Sequence, residues 1–318
     1  MAFDLSSVAA PFRMQPGLRR LEAGATQLTP NTPDMLDAPG TLDAGALREK
    51  LAVLRQHAGQ ALLVQDGFDP LPALQALVRH AVAEHPQAIA ADGMQTVTAH
   101  HLGWSLRDGM PDGDGPAEIG ACLAALPLPW RLPGLLSLAF AEDFAILDAA
   151  SGCIPWLAVC LPSHWSPQAK LGRHFTEVHA PVADNAALLA AAQPLMALVT
   201  GEGRWERAVW TFSASPRRDA HPARVAATPW PLPSNPAELA AATYFRTERQ
   251  TFIPVPGHAQ AVFTIHVEVQ PLVDVVRDPA AARRLHAALA SMSPAVLAYR
   301  RLAEVQAPLL EWLAASAG

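Results

Sequence analysis

Proline sets the length scale of this chain. Thirty prolines fall in many short clusters along its 318 residues. Each one fixes φ at about −65°, removes a backbone donor and restricts the residue before it. A chain punctuated this way builds short elements joined by many loops. It still has the material for a core, because 51% of its residues are hydrophobic and only 16% are charged, which is the balance of a folded chain and not of a disordered one. Its length accommodates two average domains or one enlarged domain.

The formal net charge is −6 and lysine and arginine form no run, which argues against general binding to nucleic acid or to anionic membranes. The longest apolar runs, such as 186–199, contain polar residues and a proline and fall short of a membrane span. The opening MAFDLSSVAAPFRM has neither the basic nor the apolar region of a signal peptide. Cys122, Cys153 and Cys160 are odd in number and lack CxxC spacing. They point to a reducing, cytoplasmic setting without a thiolate metal site. An iron–sulfur cluster would normally want four thiolates, and no GxGxxG dinucleotide fingerprint occurs.

Residues 1–45 are turn-rich, without sustained periodicity, and read as an extended arm. Leu47, Leu51 and Leu54 predict a helix over 42–57 behind an Asp43 cap. Leu74, Leu77, Val78, Ala81 and Val82 predict another over 71–85. The stretch 92–114 is polar and glycine-rich, and 109–115 within it reads as loop. Its adjacent His100 and His101 point in different directions and make a poor metal pair. Strand or mixed elements are expected at 135–140 and 144–147, around Glu142 and Asp143, and a buried strand at 154–161. A helix follows over 186–199, broken at Pro194. Residues 204–212 alternate as a strand, with Trp205, Arg207, Val209 and Thr211 set against Glu206, Ala208, Trp210 and Phe212. The runs 243–253 and 259–269 form a hairpin, and helices run over 278–289 and 293–313. The sum is an α+β fold on an antiparallel sheet. It divides into an arm with helices (1–134), a core (135–272) and C-terminal helices (273–318), packed as one unit.

Within this order the segment SPQAKLGRHFTEVHAP (166–181) predicts a short helix. Ser166 is a good N-cap and Pro167 fits the first helical position. Leu171, Phe175 and Val178 form one apolar stripe, with His179 at its edge and His174 on its other flank. Pro181 disfavours helix at Ala180, so the helix ends near His179. Two readings of His179 stand side by side: an aimed neutral imidazole that ligates iron, haem iron included, or a helix-terminal histidine bonded to a carbonyl.

Several separated pieces are distinctive together: PFRMQPGLRRL (11–21), AEDFAILD (141–148), VCLPSHWSPQAKLGRHFTEVHAPV (159–182), FRTERQTF (245–252) and AVFTIHVEVQPL (261–272). Their order and spacing resemble the haem-dependent oxidative N-demethylase family, over nearly the whole chain. The resemblance implies a PAS-like antiparallel sheet with an enlarged helical periphery and a haem b in its pocket. It further implies a small methylated amine and O₂ as substrates, with electrons from a separate reductase carrying flavin and an iron–sulfur cluster. No flavin or cluster is then expected in this chain. It places the axial ligand at His179, with His174 as competitor. In FRTERQTF, Arg246, Glu248 and Gln250 alternate and share one strand face. If that face lines the pocket, Arg246 stabilises bound oxygen, Glu248 holds a protonated alkylamine and Gln250 contacts the cofactor. Arg249 then points to the other face, toward a haem propionate or a structural carboxylate. Cross-strand charge pairs on a solvated face are the alternative. The chain departs from the family pattern at His266 in FTIHVEV and in ERAVWTF, which lacks an asparagine before its tryptophan.

The leading expectation is therefore a haem monooxygenase that removes N-methyl groups. A haem-based gas-binding or sensor protein without turnover is the alternative, and a PAS-like binder of a small apolar ligand is a third reading.

Overall fold

The computed structural model of the chain describes residues 3–32, 45–231 and 235–318. Along the chain, its strands are β1 (Arg19–Arg20), β2 (Leu62–Val64), β3 (Ile89–Asp92), β4 (Thr96–Ala99), β5 (Trp104–Arg107), β6 (Met110–Gly113), β7 (Asp143–Asp148), β8 (Cys153–Ala158), β9 (Trp205–Ser213), β10 (Tyr244–Pro254) and β11 (Gln260–Pro271). The alternating segments at the centre pair as their pattern predicts. β10 and β11 form a hairpin from Tyr244↔Pro271 to Pro254↔Ala261. β9 lies antiparallel on the other side of β10, and β7 on the other side of β11. The resulting antiparallel sheet has the order β1-β9-β10-β11-β7-β8-β2. The α+β class expected from the sequence is the class observed.

Four helices precede β7: α1 (Ala46–Ala61), α2 (Leu71–Glu84), α3 (Ala117–Ala125) and α4 (Leu128–Ala139). Leu47, Leu51 and Leu54 of α1 are buried in the largest apolar cluster with Leu74, Leu77 and Val78 of α2. The expected cap of α1, Asp43, lies outside the described residues. Lys50 fastens α1 to the sheet. Its Nζ lies 3.2 Å from Asp143 Oδ1 and donates to the Phe140 and Glu142 carbonyls. Asp143 Oδ2 accepts the Leu161 N–H at 2.6 Å. Both side chains of the ion pair are buried to within 1%.

Five expectations are corrected, four of them before β9. Residues 109–115 are not all loop, since Met110–Gly113 is β6, and β3 to β6 form a four-stranded sheet across this polar stretch. Its strands are only four residues long, and glycines and aspartates make the tight turns between them, so composition hides them. Residues 135–140 are mostly the end of α4. The helix expected over 186–199 divides into α6 (Ala186–Ala190) and α7 (Ala192–Val199), broken at Ala191. Pro194 sits in the first turn of α7, where its missing N–H has no intrahelical partner to lose. The helix expected from Ser166 to His179 is also divided. Pro167–Ala169 forms a 3₁₀ turn, Gly172 adopts φ +68°, and helix resumes as α5 (Phe175–His179). A left-handed residue cannot lie inside a right-handed helix, so Gly172 divides it.

After β9, α8 (Pro236–Ala241) leads into β10, and α9 (Leu272–Val275), α10 (Pro279–Ala290), α11 (Pro294–Tyr299) and α12 (Gln306–Ser316) close the chain. They bury a second cluster against Trp210, Phe212 and Phe245. The single helix expected over 293–313 is interrupted after α11, where Arg301 takes φ +57°. The N-terminal arm is ordered on this surface: Arg300 lies 4.5 Å from the centroid of the Phe12 ring, and β1 pairs with β9. Among the described residues no helix is long and apolar enough to cross a membrane.

Candidate functional site

A cavity of roughly 560 Å³ opens between one face of the sheet and the segment carrying α5. Pairing register decides which residues reach it. Arg207 lies opposite Gln250 and Val209 opposite Glu248, while Gln250 lies opposite Ile265 and Phe252 opposite Phe263. Opposed residues share a face, and all of these except the Trp205 partner of Phe252 line the cavity. Leu147 and Leu157 extend the apolar floor, and Phe175, Val178 and His179 stand over it.

His179 ends α5 as expected, although Ala180, before Pro181, keeps helical dihedrals of φ −55° and ψ −39°. Its Nδ1 is 2.8 Å from the Phe175 carbonyl, four residues back. A carbonyl only accepts, so Nδ1 carries the proton and Nε2 carries the lone pair. Among the described residues Nε2 has no hydrogen-bond partner. Burial, aided by the nearby Arg207 and Lys170 charges, pushes the imidazole down to about 4, against the Phe175 carbonyl. The ring is therefore neutral at pH 7. The two sequence readings of His179 coexist: one nitrogen is bonded to a carbonyl, and the other remains available.

His174 is elsewhere. It caps α5, accepting the Thr176 N–H on Nδ1 while Glu177 accepts the His174 N–H at 3.0 Å. Its exposed ring packs so closely on Gly152 that a Cβ there would lie 2.4 Å from Nε2. It does not line the cavity.

Of the strand residues singled out in FRTERQTF, Glu248 and Gln250 line the cavity, and Gln250 Nε2 donates to Glu248 Oε2 at 2.5 Å. Arg246 shares their face but not their surroundings. Its guanidinium donates to Ser163 Oγ at 2.9 Å and to the Arg217 and Arg218 carbonyls at 2.9 and 2.7 Å. It is 2% exposed, clamped between two loops, and is not a wall of the cavity. Arg249 points to the opposite face, as alternation requires. There it meets Glu206 Oε2 at 2.9 Å and the Thr26 carbonyl at 2.9 Å. Of its two expected destinations it takes the structural carboxylate. His266 also lies on that face, 2.8 Å from buried Glu142, so this departure from the family pattern leaves the cavity wall unchanged. Val209, which stands where an asparagine was expected, does line the cavity.

Sequence reasoning missed several cavity residues. Arg207 was set opposite Glu206 by alternation, but only the register beside Gln250 shows that its face is the inward one. It makes no hydrogen bond or ion pair with any described residue, and its Nε is sealed from solvent. Burial lowers its affinity for its proton and the Glu248 charge restores part of it. Lys170, Tyr299, Arg300, Arg301 and His164 also line the cavity. Lys170 donates to the Val178 carbonyl at 2.8 Å. Withdrawal from water and the charges of Arg246 and Arg301 hold His164 below its usual value.

The family model described as haem-dependent oxidative N-demethylase, alpha subunit-like, matches residues 129–310. The chain belongs to this family. The match begins in α4 and runs into α12, so it contains the strands and the α5 segment that line the cavity.

Membership in the haem-dependent N-demethylase, alpha subunit-like family implies a haem, and the residues present fit one. The cavity volume is within the range of cofactor pockets, and its floor is aliphatic and aromatic. An imidazole nitrogen with a free lone pair faces in. Four cationic side chains, Lys170, Arg207, Arg300 and Arg301, stand against the single carboxylate Glu248, an excess that suits the two propionates of a porphyrin. The Nδ1–H bond to a backbone carbonyl also fixes the tautomer that a metal-ligating histidine needs.

The depressed His179 value has a measurable consequence for the haem-free chain. Unfolded, the imidazole takes its proton near 6.5; folded, only at about 4. Its contribution to stability is full above 6.5 and is lost as pH falls toward 4. Melting temperature should therefore fall between about pH 7 and pH 5, and the fall should be smaller in His179→Gln. An unchanged pH dependence in the variant would show that this imidazole titrates freely in the fold.

Proposed function

We propose that this chain is the haem-binding, substrate-binding subunit of an oxidative amine N-demethylase. His179 Nε2 would hold the haem iron, and Glu248 would bind the amine. The observation that carries the proposal is the pairing, inside one cavity, of an unpartnered imidazole nitrogen with a carboxylate borne on the sheet. The five central strands support the PAS-type reading. Counted in chain order from β7, they lie in the spatial order 3-4-5-1-2, and α5 sits in the connection between the second and third.

The reaction balances as R₂N–CH₃ + O₂ + 2 electrons + 2 protons → R₂NH + CH₂O + H₂O, with the electrons supplied by a separate reductase carrying flavin and an iron–sulfur cluster. When bound, haem supplies the iron at which O₂ is reduced. The chain's own residues do the rest. The Phe175 carbonyl holds His179 in its Nδ1–H tautomer. Gln250 occupies Glu248 Oε2 and leaves Oε1 to receive an ammonium N–H. A methylated amine is a cation at pH 7, and entering an apolar cavity is costly without such a counter-charge. Phe252, Phe263, Ile265 and Leu147 exclude water around the methyl group. Arg207, not the clamped Arg246, is the arginine placed to meet negative charge there.

The test is an absorption spectrum of the purified chain, followed by formaldehyde assay with amine, O₂ and a reductase. A strong Soret band with amine-dependent formaldehyde supports the proposal. A Soret band without turnover supports a gas-binding protein instead, and no haem uptake removes both. Glu248→Gln should weaken amine binding by on the order of 2–5 kcal/mol while leaving haem content intact. Equal dissociation constants in variant and wild type would remove Glu248 from the site.

A further inference from the structure

Arg207 and Glu248 are opposite charges on neighbouring strands, on one face, in one cavity, and they do not touch. Arg207 lies opposite Gln250, two residues from Glu248, which makes the two charges diagonal neighbours, about 7–8 Å apart at the backbone. Among the described residues no ion pair joins them. Glu248 is steadied by Gln250, whereas the Arg207 guanidinium makes no hydrogen bond with any described residue and its Nε is shut off from water. A polar atom sealed without a partner is costly, and this half-buried guanidinium, lining the cavity with no partner among the described residues, is poised for an anion. Its planar fork suits a carboxylate.

We propose that Arg207 receives a carboxylate in the cavity, and that with Glu248 it selects a dipolar substrate: a small N-methylated amino acid. This rests on reading the cavity as the demethylation site. The ammonium end goes to Glu248 and the carboxylate end to Arg207. The gap between two unlike charges on adjacent strands is the complement of a zwitterion. A bare amine would satisfy Glu248 alone and leave Arg207 unpaired. A haem propionate is the other carboxylate that Arg207 could meet. Lys170 and Arg301 are the alternative for the propionates: both line the cavity, neither has a carboxylate partner among the described residues, and Arg301 is exposed to solvent. Val209, between Arg207 and Thr211 on the same wall, adds no competing polar group.

The experiment titrates the haem-loaded chain with N,N-dimethylglycine and with dimethylamine, following the haem spectrum, in wild type, Arg207→Met and Arg207→Lys. Wild type should bind dimethylglycine at least about ten-fold more tightly than dimethylamine, the size of one hydrogen-bonded charge contact. Arg207→Met should lose that preference with haem content unchanged, and Arg207→Lys should keep part of it. Equal affinities in wild type overturn the proposal. So does an Arg207→Met variant that keeps the preference but loses its discrimination between haem and haem dimethyl ester, which assigns Arg207 to a propionate. A chain that takes up no haem refutes the demethylase reading. Calorimetry of the haem-free protein with dimethylglycine still tests Arg207 in that case: binding that Arg207→Met abolishes supports the carboxylate site, and no binding overturns it.

Discussion

His179→Ala is expected to lose tightly held haem, or to retain it only in a weakly ligated form with a shifted Soret band. The reason is geometric: among the described residues this imidazole alone combines a fixed tautomer, a free Nε2 and a place on the cavity wall of α5. Loss of a mere supporting partner of a metal ligand typically costs about 10–100-fold in affinity, and loss of the ligand itself should exceed that. His174→Ala should leave the spectrum nearly intact, since that ring caps α5 and packs on Gly152. His179→Gly with added imidazole should restore the ligand band, which separates ligation from structural damage. Haem loss in His174→Ala with retention in His179→Ala would make His174 the ligand.

The second large effect is on stability. Lys50→Met removes the cation that pairs with buried Asp143. Breaking a buried pair from one side leaves an uncompensated charge and should destabilise by about 3–5 kcal/mol. Lys50→Met with Asp143→Asn should recover a substantial part, because a neutral amide can still accept the Leu161 N–H. Denaturant unfolding of the two variants checks this. A double variant no more stable than the single one would show that the loss lies in the carbonyl bonds of Lys50 and not in the stranded carboxylate.

How much of this was legible in the sequence depended on periodicity. Alternation in β9, β10 and β11 is strong because one face of each is packed on a core, so those strands and their faces were readable. The four-residue strands of the second sheet carry no such signal, since two alternations fit many patterns. His179 was found from Pro181 and an apolar stripe, yet the helix drawn behind it was too long, because a glycine's φ does not show in a hydrophobic pattern. Arg246 was chosen over Arg207 for a related reason. Both sit on inward faces, and only tertiary structure tells that the loops at Pro162–Ser163 and Arg217–Arg218 close over the first and leave the second open.

The two-sidedness of β10 gives the chain a division of labour along a single segment. Even-numbered positions from 248 to 252 look into the ligand cavity. On the other side Arg249 joins a strap with Glu206 and Arg19, and Thr251 bonds Gln27 and Thr264. On the proposed reading, substrate preference can therefore drift at one set of positions while the other keeps the sheet sewn to the arm. Relatives with different diets are expected to differ first at every second residue of this strand.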